Sequence, residues 1–407
     1  MTRPPPHSAA AGLKSVRALP RTIWALGLGS MFMDTSSELV HSLLPIFMAS
    51  VLGASMAAIG FVEGVAEATA AITKIFSGAL SDYLGKRKLL LVLGYGLGAI
   101  TKPMFPLATS LAWVFSGRFI DRIGKGIRGA PRDALVADIT APEQRGAAYG
   151  LRQSLDSIGA LAGPLLAVGL MTWFANQIRM VLWVAVLPAL IAVGLFMIAV
   201  REPEHTHRAS APAATRDLSF AKRLPLRYWL IVLLGAVFTL ARFSEAFLVL
   251  RAQNVGLAIG YVPTVMVVMN VVYATAAYPA GIAADILSQR MLLLVGLAVL
   301  AAADLVLATA TAPLHVFVGT ALWGLHMGFT QGLLSKLVAD AAPAELRGTA
   351  FGIFNLVGGL ALLLASIIAG ALWSAIGAPA PFIAGAAFAA VAAGGLLVYR
   401  PRNRNGT

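Results

Sequence analysis

An all-α membrane protein of twelve spanning helices, arranged as two pseudo-symmetric six-helix bundles, is the fold that three observations in the sequence predict. The first is composition: 58% of the 407 residues are hydrophobic, only 12% are charged and the mean hydropathy is +0.81. That leaves too little polar surface for a soluble globule of this size. The second is that apolar stretches of roughly 20 residues, the length that crosses a bilayer core, recur about twelve times. The third is a doubled motif. Gly78-Ala79-Leu80-Ser81-Asp82-Tyr83-Leu84-Gly85-Lys86-Arg87-Lys88 returns, weakened, as Gly281-Ile282-Ala283-Ala284-Asp285-Ile286-Leu287-Ser288-Gln289-Arg290. Each copy joins two apolar stretches through a short basic turn, as a tight hairpin between membrane helices does.

The elements follow in order. Residues 1–21 are basic and proline-containing without an apolar core, and read as a cytoplasmic tail and not a cleaved signal. Hydropathy places six spans at 22–48, 56–80, 88–108, 110–137, 147–174 and 178–199, the first bundle being 22–199. The one long hydrophilic connection, 200–226, is a cytoplasmic linker. Six more spans fall at 227–252, 259–284, 290–310, 313–339, 348–375 and 379–399, forming a second bundle over 227–399 before a cytoplasmic tail at 400–407. The repeat reaches further than the hairpins: Glu143-Gln144-Arg145-Gly146 corresponds to Glu345-Leu346-Arg347-Gly348, and Leu135-Val136-Ala137-Asp138 to Leu337-Val338-Ala339-Asp340.

The net charge of +13 would suit a nucleic-acid partner, but its placement argues against one. Lys and Arg crowd into the termini, the linker and alternate loops, while the opposite loops carry little beyond Arg179 and Arg251. The positive-inside rule then puts both termini and both hairpins in the cytoplasm, with the chain integral to the plasma (inner) membrane. The partners are the lipid bilayer and a small molecule of anionic or amphiphilic character, the chain itself being a monomer.

Charges within the spans mark the pathway, since an isolated ion at mid-helix costs at least roughly 2.5–3.5 kcal/mol. Asp34, Glu38 and His41 share one face of the first helix, and Glu63, Glu67 and Lys74 one face of the second. Arg118, Arg122, Lys125, Arg128 and Arg132 line about a third of the fourth helix, with Asp121 among them. Arg152 and Asp156 form an i, i+4 pair on the fifth. The second half is poorer in charge: Arg242 and Glu245 on the seventh helix, Asn270 on the eighth at the repeat position of Glu67, His326 and Gln331 on the tenth and Asn355 on the eleventh. Asp304 on the ninth reads as peripheral.

Asp34 and Glu38, close together on one face, suit proton carriage, against a structural pairing with Arg118 or Arg122. Glu63 and Glu67 are second candidates for coupling or for binding a cation. His41 is a proton shuttle or a hydrogen-bonded bystander. Arg118 and Arg122 either hold an anionic substrate or pair with acids of neighbouring helices. No phosphate-cradling loop accompanies Gly124-Lys125-Gly126, and no histidine cluster has metal-ligand spacing. The expectation is therefore neither an enzyme nor a cofactor protein, but one driven by a proton or other ion gradient.

Gly78-x-Leu80-x-Asp82-x-x-Gly85-x-Arg87-Lys88 resembles the loop 2–3 signature of the major facilitator superfamily, with Asp285 and Arg290 at its degenerate second copy. The resemblance covers nearly the whole chain. It implies a cytoplasmic latch of Gly78, Asp82, Gly85 and Arg87, which Arg132 and Asp133 around Pro131 would join; alternatively the basic residues only set topology. Ser288 stands where Gly85 would recur. Gly150, Gly159, Gly163 and Pro164 on the fifth helix resemble the signature of the family's antiporters and drug exporters, although Ala167-Val168 replaces its closing glycines; their bland reading is a tightly packed helix. Resemblance also links a fourth-helix arginine, nearest Arg118, to proton coupling in exporters. Because helices 1, 4, 7 and 10 line the cavity in this superfamily, it makes Arg242, Glu245 and His326 candidates for substrate contact, beside His41, Arg122 and the eighth-helix Asn270. The expected function is proton-coupled efflux by antiport and alternating access. A symporter importing an organic anion, or a membrane sensor of transporter fold, are the alternatives.

Overall fold

The computed structural model describes residues 19–84, 86–141, 144–200, 224–286, 288–343 and 346–398. Twelve spans account for them. In chain order they are α1 (Arg21–Ile46, prolonged by a π-helical turn Phe47–Val51), α2 (Met56–Leu84), α3 (Arg87–Thr101, extended by Met104–Leu107), α4 (Leu111–Ile139), α5 (Arg145–Trp173) and α6 (Ile178–Val184 and Val186–Ala199). The second half supplies α7 (Leu226–Leu240 and Ala246–Asn254), α8 (Thr264–Ile286), α9 (Gln289–Ala308), α10 (Pro313–Ala341), α11 (Arg347–Ala375) and α12 (Ala380–Val398).

Local chemistry explains several of the ends. Ser110 and Ser288 cap α4 and α9 by accepting the N–H of Trp113 and Met291. Pro313 opens α10 where its missing N–H costs nothing. Large apolar side chains face outward, Ile198 being 85% exposed and Tyr278 77%, as a lipid-facing surface requires. The expected continuous span at 227–252 is corrected: α7 is interrupted at 241–245, where Arg242 and Phe243 are non-helical and the Ser244 N–H donates to Ser366 Oγ of α11, 3.2 Å away.

The two arginines on the side opposite the hairpins are spent on helix ends. Arg179 donates to the Pro106 carbonyl at the end of α3 (2.6 Å), and Arg251 to the Leu307, Ala308 and Ala310 carbonyls at the end of α9 (2.9, 3.1 and 2.9 Å). Each thereby supplies side-chain donors to carbonyls at a helix end. The hairpin side shows the repeat in detail: Lys88 donates to the Met197 carbonyl of α6 (2.9 Å), and Arg290 to the Leu397 carbonyl of α12.

Within the first half α1 packs on α5 and α6, and α4 on α2 and α3; in the second, α10 packs on α8 and α9, and α9 on α12. The halves meet along α2 and α11 and, more lightly, α5 and α8. The α2–α11 seam depends on glycine. A methyl built on Gly60 would lie 2.3 Å from the Ser366 carbonyl oxygen, and one on Gly370 2.5 Å from that of Met56, so the backbones approach as only glycine permits.

Candidate functional site: a cavity between the halves

A cavity of about 830 Å³ lies between the halves, lined by α1, α2, α4, α5, α7, α8, α10 and α11. Its lining runs from mid-span to the hairpin ends of these helices, from Glu38 and Arg242 to Arg132, Gln153 and Ser335. On the far side the halves touch. Gln253 donates to Ser50 Oγ (2.6 Å), and the Ala57 N–H donates to Ser374 Oγ (3.0 Å). The cavity is therefore open on the hairpin side and closed opposite.

The arginine stripe of α4 is largely consumed by pairing, one rung at a time. Arg118 pairs with the fully buried Glu63, and Arg118 Nη2 lies 3.5 Å from His41 Nδ1. Arg122 pairs with Glu67 (3.0 Å) and Arg128 reaches Asp34 at 3.9 Å while stacking over Tyr95. Arg132 donates to Ser30 Oγ (2.6 Å) and lies 3.5 Å from Asp133 and 3.6 Å from Asp156, which Arg152 also holds at 2.8 Å. Asp121 binds not an arginine but Lys102 (3.0 Å), whose ammonium also donates to Ser37 Oγ (3.1 Å). These pairs favour the structural reading of Arg118 and Arg122. The acids they hold are Glu63 and Glu67 of α2, among the neighbouring-helix acids weighed from sequence, and not Asp34 or Glu38 of α1.

Four charged groups without such a partner face the cavity. Glu38, Lys74, Lys125 and Arg242 line it and take part in no ion pair or side-chain hydrogen bond among the described residues. Asp34, Glu67, Asn270, His326, Gln331 and Asn355 line it too. Asp34 and Glu67 are held by the arginines of α4; Asn270 donates to the Ala160 carbonyl of α5 (3.0 Å), His326 Nδ1 bonds the Gly296 carbonyl (2.8 Å), and Gln331 accepts from the Tyr273 hydroxyl (3.2 Å). His41, Glu63, Arg118, Arg122 and Glu245 lie behind the lining. Sequence reasoning overlooked Lys102, although a lysine in an apolar span opposite Asp121 signals such a pair; Tyr95 and Ser30, partners of the stripe and of each other at 2.7 Å, carry no comparable signal.

Comparison with known proteins gives this geometry its context. The sequence profile of the Major Facilitator Superfamily matches residues 26–269 and 243–407. The chain belongs to the major facilitator superfamily. Among its relatives are the MFS-type transporter MJ1317 of Methanocaldococcus jannaschii (32% identical over 370 residues, 88% of this chain and 89% of the relative) and the inner membrane transport protein YajR of Escherichia coli (25%, 91% and 81%). The class C tetracycline resistance protein of Escherichia coli is 27% identical over 69% of this chain and 72% of its own. In structure, a point variant of the nucleoside transporter NupG superposes with a TM-score of 0.79 at 13% identity, over 92% of this chain and 99% of that one. The protein is therefore an integral membrane transporter of small molecules, not an enzyme.

The superfamily's hairpin motif is in part described. Arg87 pairs with Asp138 at the end of α4 (3.0 Å), while Gly85 and the side chains of Asp82 and Asp285 lie outside the described residues. Arg132 and Asp133 pair with each other and with α5, around the cavity mouth. Gly159 and Gly163 of α5 seat against α1: added methyls would lie 2.5 Å from the Met31 carbonyl oxygen and 2.7 Å from that of Thr35, beside Asp34 and Glu38. Gly150 has open space around it, and Pro164 is buried.

Proposed function

We propose that this transporter exports a small molecule in exchange for protons, with Glu38 as the principal proton carrier and Asp34 as its neighbour on the same face. The observation that carries the reading is Glu38 itself. It is an acid facing the cavity with no ion-pair partner among the described residues, whereas Asp34, Glu63, Glu67, Asp121 and Asp156 are each held by a cation. Such a group is free to exchange its proton whenever the cavity opens to water. The glycines that pack α5 against α1 beside it, and the likeness to a tetracycline resistance protein, support export. Both termini and the hairpins lie in the cytoplasm of this reading, in the plasma membrane, so the open cavity is the inward-facing state of a monomer working by alternating access.

Lys74, Lys125 and Arg242, cations without ion-pair partners in the same cavity, favour a second reading: proton symport of an organic anion. A thermal-shift screen of purified protein against organic anions and lipophilic drugs supplies the ligand. Proteoliposomes with an imposed pH gradient then separate the readings by the direction of substrate-induced proton movement. Glu38→Gln should abolish that movement while preserving ligand binding; a variant that still moves protons like the wild type would sink the assignment.

A further inference from the structure

Asp304, peripheral by sequence, is fully buried in α9 and neither of its carboxylate oxygens has a hydrogen-bond partner. It faces the interruption of α7. A methyl group built on Gly385 of α12 would lie 2.5 Å from Asp304 Oδ2 and 3.2 Å from the Ala241 carbonyl oxygen, so the two oxygens converge over one glycine. No backbone N–H donates to the Ala241 carbonyl among the described residues. The levels agree: Asp304 and the break each lie about 22 Å from the hairpin ends of their helices, at 1.5 Å per residue. That is the depth of the cavity's inner end, where Arg242 of the break lines it, but Asp304 itself is fully buried behind the lining. Phe243 of the break packs against Trp323 and Phe382, its ring centre 5.4 and 5.3 Å from theirs.

Nothing around Asp304 neutralises it. α12 carries no titratable side chain between residues 380 and 398. From α10, Thr320 Oγ1 and Trp323 Nε1 are buried without partners, His326 is engaged with Gly296, His315 lies near Thr311, and Lys336 is far toward the hairpin side. The break brings Arg242, which faces the cavity, and Glu245; α8 brings Tyr273 and Tyr278, and Arg290 of α9 is tied to Leu397. An ionised carboxylate buried without a cation or donor costs several kcal/mol or more, and two facing acceptors repel. A proton on Asp304, donated to the Ala241 carbonyl, removes both costs.

We propose that Asp304 is a proton-binding site of the second half, separate from the cavity, whose protonated form is needed to close the side opposite the hairpins. With that side open, water reaches the break and the proton can leave; with it closed, the proton is sealed in. The site is independent of Glu38, and its test is chosen accordingly.

The chain contains no cysteine, so Val51→Cys and Ala258→Cys, both exposed and on opposite halves at the closed mouth, can carry spin labels without background. In liposomes the label separation of the parent should lengthen reversibly as pH rises, and Asp304→Asn, neutral at every pH and still a donor, should lose that response and stay short. Glu38→Gln should keep it even if transport fails, which separates this test from that of the cavity. The proposal is overturned if the parent does not respond to pH, if Asp304→Asn titrates like the parent or fails to fold, or if sodium at fixed pH drives the closure instead.

Discussion

At the α3–α4 crossing of the first half, Gly94 lies against Gly124 and Arg128, and at the repeat-related α9–α10 crossing Gly296 lies against His326 and Thr330. That single exchange represents the two halves. Every ion pair among the described residues belongs to the first, strung along α4 from Arg118 to Arg132. The second is centred on the rings of Phe243, Phe247, Trp323, Trp373 and Phe382. One backbone plan thus tolerates two kinds of interior. The charged one depends on each partner being present, the aromatic one on shape.

Substitutions can break or sharpen this contrast. The largest effect is expected from Arg118→Met, which leaves Glu63 buried and unpaired and should cost about 3–5 kcal/mol in denaturant unfolding; pairing it with Glu63→Leu should restore most of the loss. If the single and double variants unfold alike, the first half is not held by pairing. Phe243→Ala should cost about 3 kcal/mol through lost packing, with no recovery from any single partner change and no dependence on salt. Asn270→Ala removes the bond from α8 to the Ala160 carbonyl and should cost about 1 kcal/mol, read by the same unfolding curves. Asp138→Asn, at a partly exposed pair with Arg87, should cost less than about 1 kcal/mol, and raising the salt concentration should shrink even that difference.

The fold was legible because hydropathy and the doubled hairpin are properties of sequence alone. The site was legible only where polar residues interrupt apolar runs. By length and hydropathy eight described helices qualify as membrane spans, and the ones that do not are α1, α4, α7 and α10, all of them cavity-lining. α7 fails because its break leaves no piece of spanning length, whereas in α4 the crowded charges themselves mark the pathway. Pairing was not legible: Arg118 and Arg122 could reach acids on several helices, and only packing decides for Glu63 and Glu67. Nor was the α7 break, since Ala-Arg-Phe-Ser-Glu contains neither Gly nor Pro; the Ser366 hydroxyl of α11 that receives the Ser244 N–H there is distant in the chain.

Among the described residues the ion pairs are confined to the first half, and this bears on how the protein is made. Spans α1 to α6 leave the ribosome before any of α7 to α12 exists, and N-terminal units fold first during synthesis. Each paired charge of α4 finds its counter-ion on α1, α2, α3, α5 or α4 itself, so none must wait in lipid for a helix not yet translated. The late-made half brings few charges of its own and can insert beside a neutralised partner, which makes the order of the halves along the gene a matter of assembly and not only of ancestry.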